Sequence, residues 1–270
     1  VHAKGSFIWA QIFSLGRAAK SQDGERGVLS SSAIPINFSS PTPAAMTEQE
    51  IETAIKNFTQ AARNAMEAGF DGVEIHGANV YLIDQFTQDT ANKREDRWGG
   101  SIENRSQFGL EVTKAVVRAI GLSRVGFRIS PYSTFQAMCM DDPVTQFSNL
   151  VSELSKLKLA YLHIVTARMN ASEDSNGAKS IDFAIERWSN ENPVLVAGGL
   201  TPDSAMRLVD EEWKDRDVVA VFGRYFIANP DLPFRSKHGL ELSPWERDTF
   251  YTLGEVGYTD YTFHPDFVSS

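Results

Sequence analysis

What most constrains this chain is an alternation. Short apolar runs at Phe7–Ile12, Gly72–Ile75, Val125–Ile129, Tyr161–Val165, Val194–Ala197 and Val218–Phe222 are separated by longer stretches with helical period. Strands that are apolar almost throughout, and not at every second residue, are covered on both faces, as in a parallel sheet flanked by helices. The intervening stretches carry helix signals. Thr47-Glu48-Gln49-Glu50 has the pattern of a capping box, in which the threonine hydroxyl serves an early N–H while the glutamate reaches back. Ile51, Ala54, Ile55, Phe58, Ala61 and Ala62 then mark one face of a helix running to about Glu67. Ile102–Ile120 and Val144–Leu157 repeat the period, and Thr201-Pro202 places a cap before a proline at the first helical position.

Strand–helix–strand order implies right-handed crossovers and leaves two architectures, an open doubly wound sheet and a (β/α)8 barrel. An open dinucleotide-binding sheet would carry G-x-G-x-x-G after its first strand, and the sequence has none there. A barrel needs eight strands, and six runs are counted. The expected fold is therefore α/β, a (β/α)8 TIM barrel lacking its first two strand–helix units, with residues 1–270 as a single, partial domain. The chain begins with Val1 and reads as entering a fold already in progress. The Ser-, Pro- and Ala-rich stretch from Lys20 to Ala45 reads as a long loop on the active-site face.

Charge narrows the function classes. Asp+Glu is 35 against 26 Lys+Arg, a net charge of −9 with no basic tract, so nucleic acid is not the expected partner. No run approaches the roughly 18 apolar residues of a membrane span. Gln11 and Arg17 interrupt the first apolar run, which reads as a buried strand and not as a signal peptide. Cys139 is the single cysteine and suits a reducing, cytoplasmic compartment.

In a barrel, chemistry collects at the C-terminal ends of the strands. Gly198-Gly199 and Gly223-Arg224 follow the last two runs, where the fold commonly cradles a phosphate with backbone N–H groups. Arg224 would add a fork of donors, although glycines there also simply make turns. His76 and Asn79, three apart, are both donors able to converge on one oxygen, and Tyr81 carries a phenol able to give a proton. A hydrogen-bonded core histidine and a packing tyrosine are the alternatives. Arg128 in an apolar strand needs an anion, either a carboxylate or a ligand. Gln11 ends the first run. His163 lies inside a run and no clustered His/Cys/Asp spacing accompanies His76, so no metal is expected. Cys139 between two methionines reads as a packing residue.

Together these residues resemble the Old Yellow Enzyme flavoprotein family. The run Gly69-Phe70-Asp71-Gly72-Val73-Glu74-Ile75-His76-Gly77-Ala78-Asn79-Val80-Tyr81-Leu82 is similar to its fourth-strand signature. The likeness continues through Gly99-Gly100-Ser101-Ile102-Glu103-Asn104-Arg105, Gly126-Phe127-Arg128-Ile129-Ser130-Pro131, Ala197-Gly198-Gly199 and Phe222-Gly223-Arg224-Tyr225-Phe226. It closes with Asp248-Thr249-Phe250-Tyr251 and Gly257-Tyr258-Thr259-Asp260-Tyr261, so it spans nearly the whole chain in order.

The resemblance implies an FMN-bound barrel that reduces activated alkenes with NAD(P)H, acting on a small α,β-unsaturated carbonyl compound. It places Gln11 at the flavin's pyrimidine edge and Arg128 near the N1–C2 carbonyl region. Gly198, Gly199, Gly223 and Arg224 would hold the phosphate, and Phe250 and Tyr251 would lie near the flavin and the substrate mouth. His76 and Asn79 would bind the substrate carbonyl, and Tyr81 would protonate the α carbon. The stretch around His76 and Arg97-Trp98-Gly99-Gly100 looks most like filamentous-fungal members, some of which have phenylalanine in place of this tyrosine. Val80 stands where the family often has glycine, and a β-branched residue resists positive φ. The absent first units would also supply flavin contacts. The rival expectation is a truncated, non-catalytic remnant with impaired flavin binding and an exposed sheet edge; a barrel for another phosphorylated ligand is a third. A homo-oligomer is compatible with either of the first two.

Overall fold

The structure, a computed structural model, describes residues 1–20, 27–166 and 180–267. Residues 21–26 of the Lys20–Ala45 stretch lie outside the described residues.

Six parallel strands form the main sheet. In chain order the strands are β1 (Trp9–Ile12), β2 (Leu29–Ser30), β3 (Ala44–Ala45), β4 (Gly72–Gly77), β5 (Val125–Ile129), β6 (Tyr161–Val165), β7 (Val194–Ala197) and β8 (Val218–Val221). The sheet runs β1-β4-β5-β6-β7-β8, and β2 and β3 pair separately in the long loop after β1. Each apolar run of the sequence is thus a strand, and each strand neighbours the next run in order. Among the described residues no pairing joins β1 to β8, so the sheet is an incomplete barrel with two open edges. The first run is shorter than its apolar residues suggest. Phe7 remains 76% exposed, because β1 has a partner on one side alone.

Helices close the outer face. α1 (Glu48–Glu67) begins at the capping box: Thr47 accepts the Glu50 N–H, and Glu50 accepts the Thr47 N–H at 2.8 Å. It buries Ile51, Phe58, Ala62 and Ala65 on one face. α2 (Leu82–Thr87) is a single buried turn and a half directly after β4. α3 (Ile102–Ile120) is capped by Ser101 and stopped by Gly121 at φ 89°. α4 (Pro143–Ser155) starts one residue before the expected Val144, because Asp142 accepts the Thr145 N–H and the proline takes the first position. The later helices are short: α5 (Asp182–Arg187), α6 (Pro202–Arg207), α7 (Arg224–Ala228) and α8 (Leu232–His238). No described helix is long and apolar enough to cross a membrane.

The core lies between sheet and helices, built on Ile75, Phe127, Ile129, Phe108, Phe147 and Leu150, all fully buried. The opposite, barrel-interior face is polar above and aromatic below. Trp9 and Tyr161 meet at 5.0 Å across it, over the glycines at 72 and 126. A Cβ on Gly72 would stand 2.5 Å from the Trp9 ring, and one on Gly126 2.3 Å from the Tyr161 ring. Small residues on β4 and β5 therefore make room for large ones on β1 and β6, which fills the barrel floor.

Candidate functional site

Register sets out the site. His76 on β4 pairs with Arg128 on β5, and Arg128 pairs with His163 on β6. One step lower, Gln11 on β1 pairs with Glu74 on β4. With side chains alternating along each strand, all five belong to the interior face.

Glu74 is the hub. Its Oε1 accepts the Gln11 amide at 2.6 Å and its Oε2 lies 2.8 Å from His163 Nδ1. Burial pushes this carboxyl up, but the hydrogen bond and charge of His163, with Gln11 and Arg128 beyond, outweigh burial and bring it down to about 2. Arg128 sits in the same field, its guanidinium disfavoured by burial and favoured by Glu74. Two buried nitrogens, Arg128 Nε and His163 Nε2, have no hydrogen-bond partner among the described residues.

Both residues line a cavity of about 540 Å3, within the roughly 300–1,000 Å3 of small-molecule sites. Its far wall is Gly198, Gly199, Gly223 and Arg224, with Phe250 and Tyr251 at the rim. Gly198 has φ 142°, and a Cβ there would stand 2.0 Å from Thr166 Oγ1, so β6 and β7 approach as closely as glycine alone allows. Trp245 and Arg247 also line the cavity, and the Arg224 guanidinium lies 4.9 Å above the Trp245 ring. Trp245, Arg247 and Glu74 carry no sequence signal that marks them as site residues, and His163 enters the sequence reading solely as a metal ligand set aside.

A second cluster forms at the C-terminal end of β4. His76 is buried, and its Nδ1 accepts the Ala78 N–H at 3.2 Å, which puts the ring proton on Nε2. Burial first, then the nearby Arg128 charge, hold it down to about 4, so it is a neutral donor at neutral pH. The Tyr81 ring meets the His76 ring edge-on at 5.0 Å and stacks on Phe13 at 5.1 Å. Phe13, half exposed on the open edge, was likewise not foreseen.

Between them, Asn79 and Val80 adopt φ 50° and 77°. Val80 does so despite its β-branch. Its side chain is fully buried beside Ala91 and Met138, its N–H is accepted by Asp84 at 2.9 Å, and Ser130 accepts the Asn79 N–H at 2.8 Å. The loop that presents Tyr81 is thus held from both sides.

The expected site residues fall into these two groups. Arg128, the glycines, Arg224, Phe250 and Tyr251 share the cavity; His76 and Tyr81 share the aromatic cluster, with Asn79 in the turn between them. The cavity lining does not include His76, Asn79 or Tyr81. Gln11 borders a separate groove against α1 and joins the cavity residues through Glu74. The described residues contain no group of three His, Cys, Asp or Glu able to hold a metal.

Known proteins resemble this chain. Residues 1–243 match the NADH:flavin oxidoreductase / NADH oxidase family. A chanoclavine-I aldehyde reductase of Penicillium roqueforti is 48% identical over 99% of this chain and 74% of its own length. A Claviceps purpurea protein named a probable inactive dehydrogenase is 50% identical over 99% of this chain and 73% of its own. Among solved structures, morphinone reductase superposes with a TM-score of 0.87 at 34% identity, covering 98% of this chain and 74% of that one. The six-stranded parallel sheet, the glycine-walled cavity with its arginines and this sequence match converge: the chain belongs to the NADH:flavin oxidoreductase / NADH oxidase family, the Old Yellow Enzyme family of TIM barrels.

Proposed function

We propose that residues 1–270 act as one barrel domain that binds FMN in the cavity and reduces the activated C=C bond of a small enone or enal with NAD(P)H. The observation that carries this is a cavity lined by Arg128 and His163, each with one buried nitrogen that has no hydrogen-bond partner among the described residues, and walled on its far side by glycine and arginine. A polar, partly anionic ligand satisfies such a cavity. The glycines and Arg224 offer one terminal phosphate site, which suits a mononucleotide. When bound, FMN supplies hydride transfer from NAD(P)H to the alkene β carbon.

The chain's own residues supply the rest. Gly198, Gly199, Gly223 and Arg224 hold the phosphate. Arg128 sets positive charge beside the ring, and Gln11 meets the pyrimidine edge. Phe250 and Tyr251 stand at the flavin and the mouth. The neutral His76 donates its Nε2–H, and Asn79 its amide, to the substrate carbonyl as negative charge develops there. Tyr81, edge-on to His76, gives its phenolic proton to the α carbon.

The test is Tyr81→Phe in FMN-loaded protein. Turnover of a weakly activated enone should fall about a hundredfold, the usual contribution of a positioned acid. A nitroalkene, whose reduced nitronate is stable in water, should still reoxidise the flavin quickly. Equal enone turnover in parent and variant would remove Tyr81 from this role.

A second reading is a barrel remnant without turnover. The relatives named as probable inactive enzymes favour it.

A further inference from the structure

His163 is 6% exposed, and its two ring nitrogens have different fates. Nδ1 faces the Glu74 carboxylate at 2.8 Å. Nε2 is buried without a partner, and the residue lines the cavity. A buried polar nitrogen left unmatched is costly to the folded chain, so a group that meets it gains that cost back on binding.

Strand order says which part of a ligand passes there. Across the cavity the lining runs from Arg128 on β5, through His163 on β6, to Gly198 and Gly199 after β7 and Gly223 and Arg224 after β8. With the phosphate of FMN at the glycines and its ring beside Arg128, as in the function proposed above, the connecting polyol chain crosses β6. We infer that His163, oriented by Glu74, hydrogen-bonds a hydroxyl of that chain through Nε2 and so selects a flavin with a hydroxylated linker.

A hydroxyl fits for a reason of chemistry. The Glu74 carboxylate keeps a proton on Nδ1, so Nε2 is an acceptor in the neutral ring and a donor in the charged one. A hydroxyl can donate or accept, and therefore satisfies Nε2 in either state. An imide N–H or a carbonyl would suit one state alone. The Glu74–His163 pair thus serves as a fixed anchor beneath the linker.

The experiment compares two ligands, FMN and an isoalloxazine carrying a phosphorylated alkyl chain without hydroxyls, by fluorescence titration of the apo chain. His163→Asn keeps an N–H for Glu74 but withdraws the Nε2 group, whereas His163→Gln keeps a group near the Nε2 position. His163→Asn should weaken FMN about tenfold, the size of one well-made hydrogen bond, and leave the hydroxyl-free analogue unchanged. His163→Gln should recover part of the loss. In the unsubstituted protein with 15N-labelled histidine, FMN should shift the His163 Nε2 resonance and the analogue should not; this arm decides the matter if the variants do not fold. Equal weakening of both ligands, no weakening, or an unmoved Nε2 resonance overturns the role of His163 and leaves the flavin reading standing. A parent chain that binds neither flavin overturns the flavin reading and this inference with it.

Discussion

Asp84 accepts the backbone N–H of Val80 at 2.9 Å, and that bond closes the turn in which Asn79 and Val80 both take positive φ. The same carboxyl reaches the other way. Gln88 Nε2 donates to its Oδ1 at 2.8 Å, and Gln88 Oε1 accepts the N–H groups of Cys139 and Met140. Gln85, the next residue, accepts the Arg17 N–H and donates to the Val80 carbonyl. One helical turn after β4 therefore ties the loops that follow β1, β4 and β5 to the segment that carries Asn79 and Tyr81.

Asp84 predicts a pH signature. Complete burial pushes its pKa from 3.8 up to about 7, against the bonds from Gln88 and Val80. A raised acid holds its proton longer in the folded chain, so stability is fullest below the unfolded value and declines as pH rises through about 7. Asp84→Asn has nothing to titrate there. Urea melts at several pH values should show the variant's stability relative to the parent rising by a few kcal/mol from pH about 4 to 7. A pH-independent difference would contradict the assignment.

Glu74 predicts the opposite sign. Its folded pKa of about 2 lies below the unfolded 4.5, so its contribution is present above the unfolded value and lost as pH falls toward 2. Glu74→Gln should cost about 3 kcal/mol at neutral pH, since it strips a buried partner from His163 and Arg128. The deficit should shrink between pH 5 and 3.5. A deficit that stays constant over that range would show that packing, not charge, sets it.

Gly198→Ala tests the cradle. The new methyl collides with Thr166 Oγ1 and the backbone must leave φ 142°, so β6 and β7 separate at the cavity wall. Affinity for FMN should fall by tenfold or more while affinity for riboflavin, which has no phosphate, changes little. A matched loss for both flavins would place the damage in the sheet and not at a phosphate site.

Much of this was legible beforehand because its causes are local. The Thr47–Glu50 box and the Thr201-Pro202 start need no tertiary information, and both are observed. Apolar runs covered on both faces announced the parallel sheet. Arg128 stands out in the sequence because a charge interrupts one of those runs. The same logic applied to Glu74 and His163 would have flagged the hub, but that they share one layer depends on register between strands 89 residues apart. Phe13 and Trp245 escaped for a similar reason: an aromatic residue next to a strand or in a terminal segment has no periodic signature. At Val80 the β-branch sets a real cost for positive φ, and a fully buried side chain and the Asp84 acceptor, neither visible in the sequence, compensate it.

The proposed FMN site of this chain is the cavity walled by Gly198, Gly199, Gly223 and Arg224. The deciding experiment equilibrates the purified chain with a mixture of FMN, FAD and riboflavin, removes free ligand by gel filtration, and identifies what is retained by mass spectrometry after denaturation. FMN should be retained, one per chain, with a visible absorption that NAD(P)H bleaches and an enone restores. Retention of FAD in preference, or of no flavin at all, would contradict this assignment.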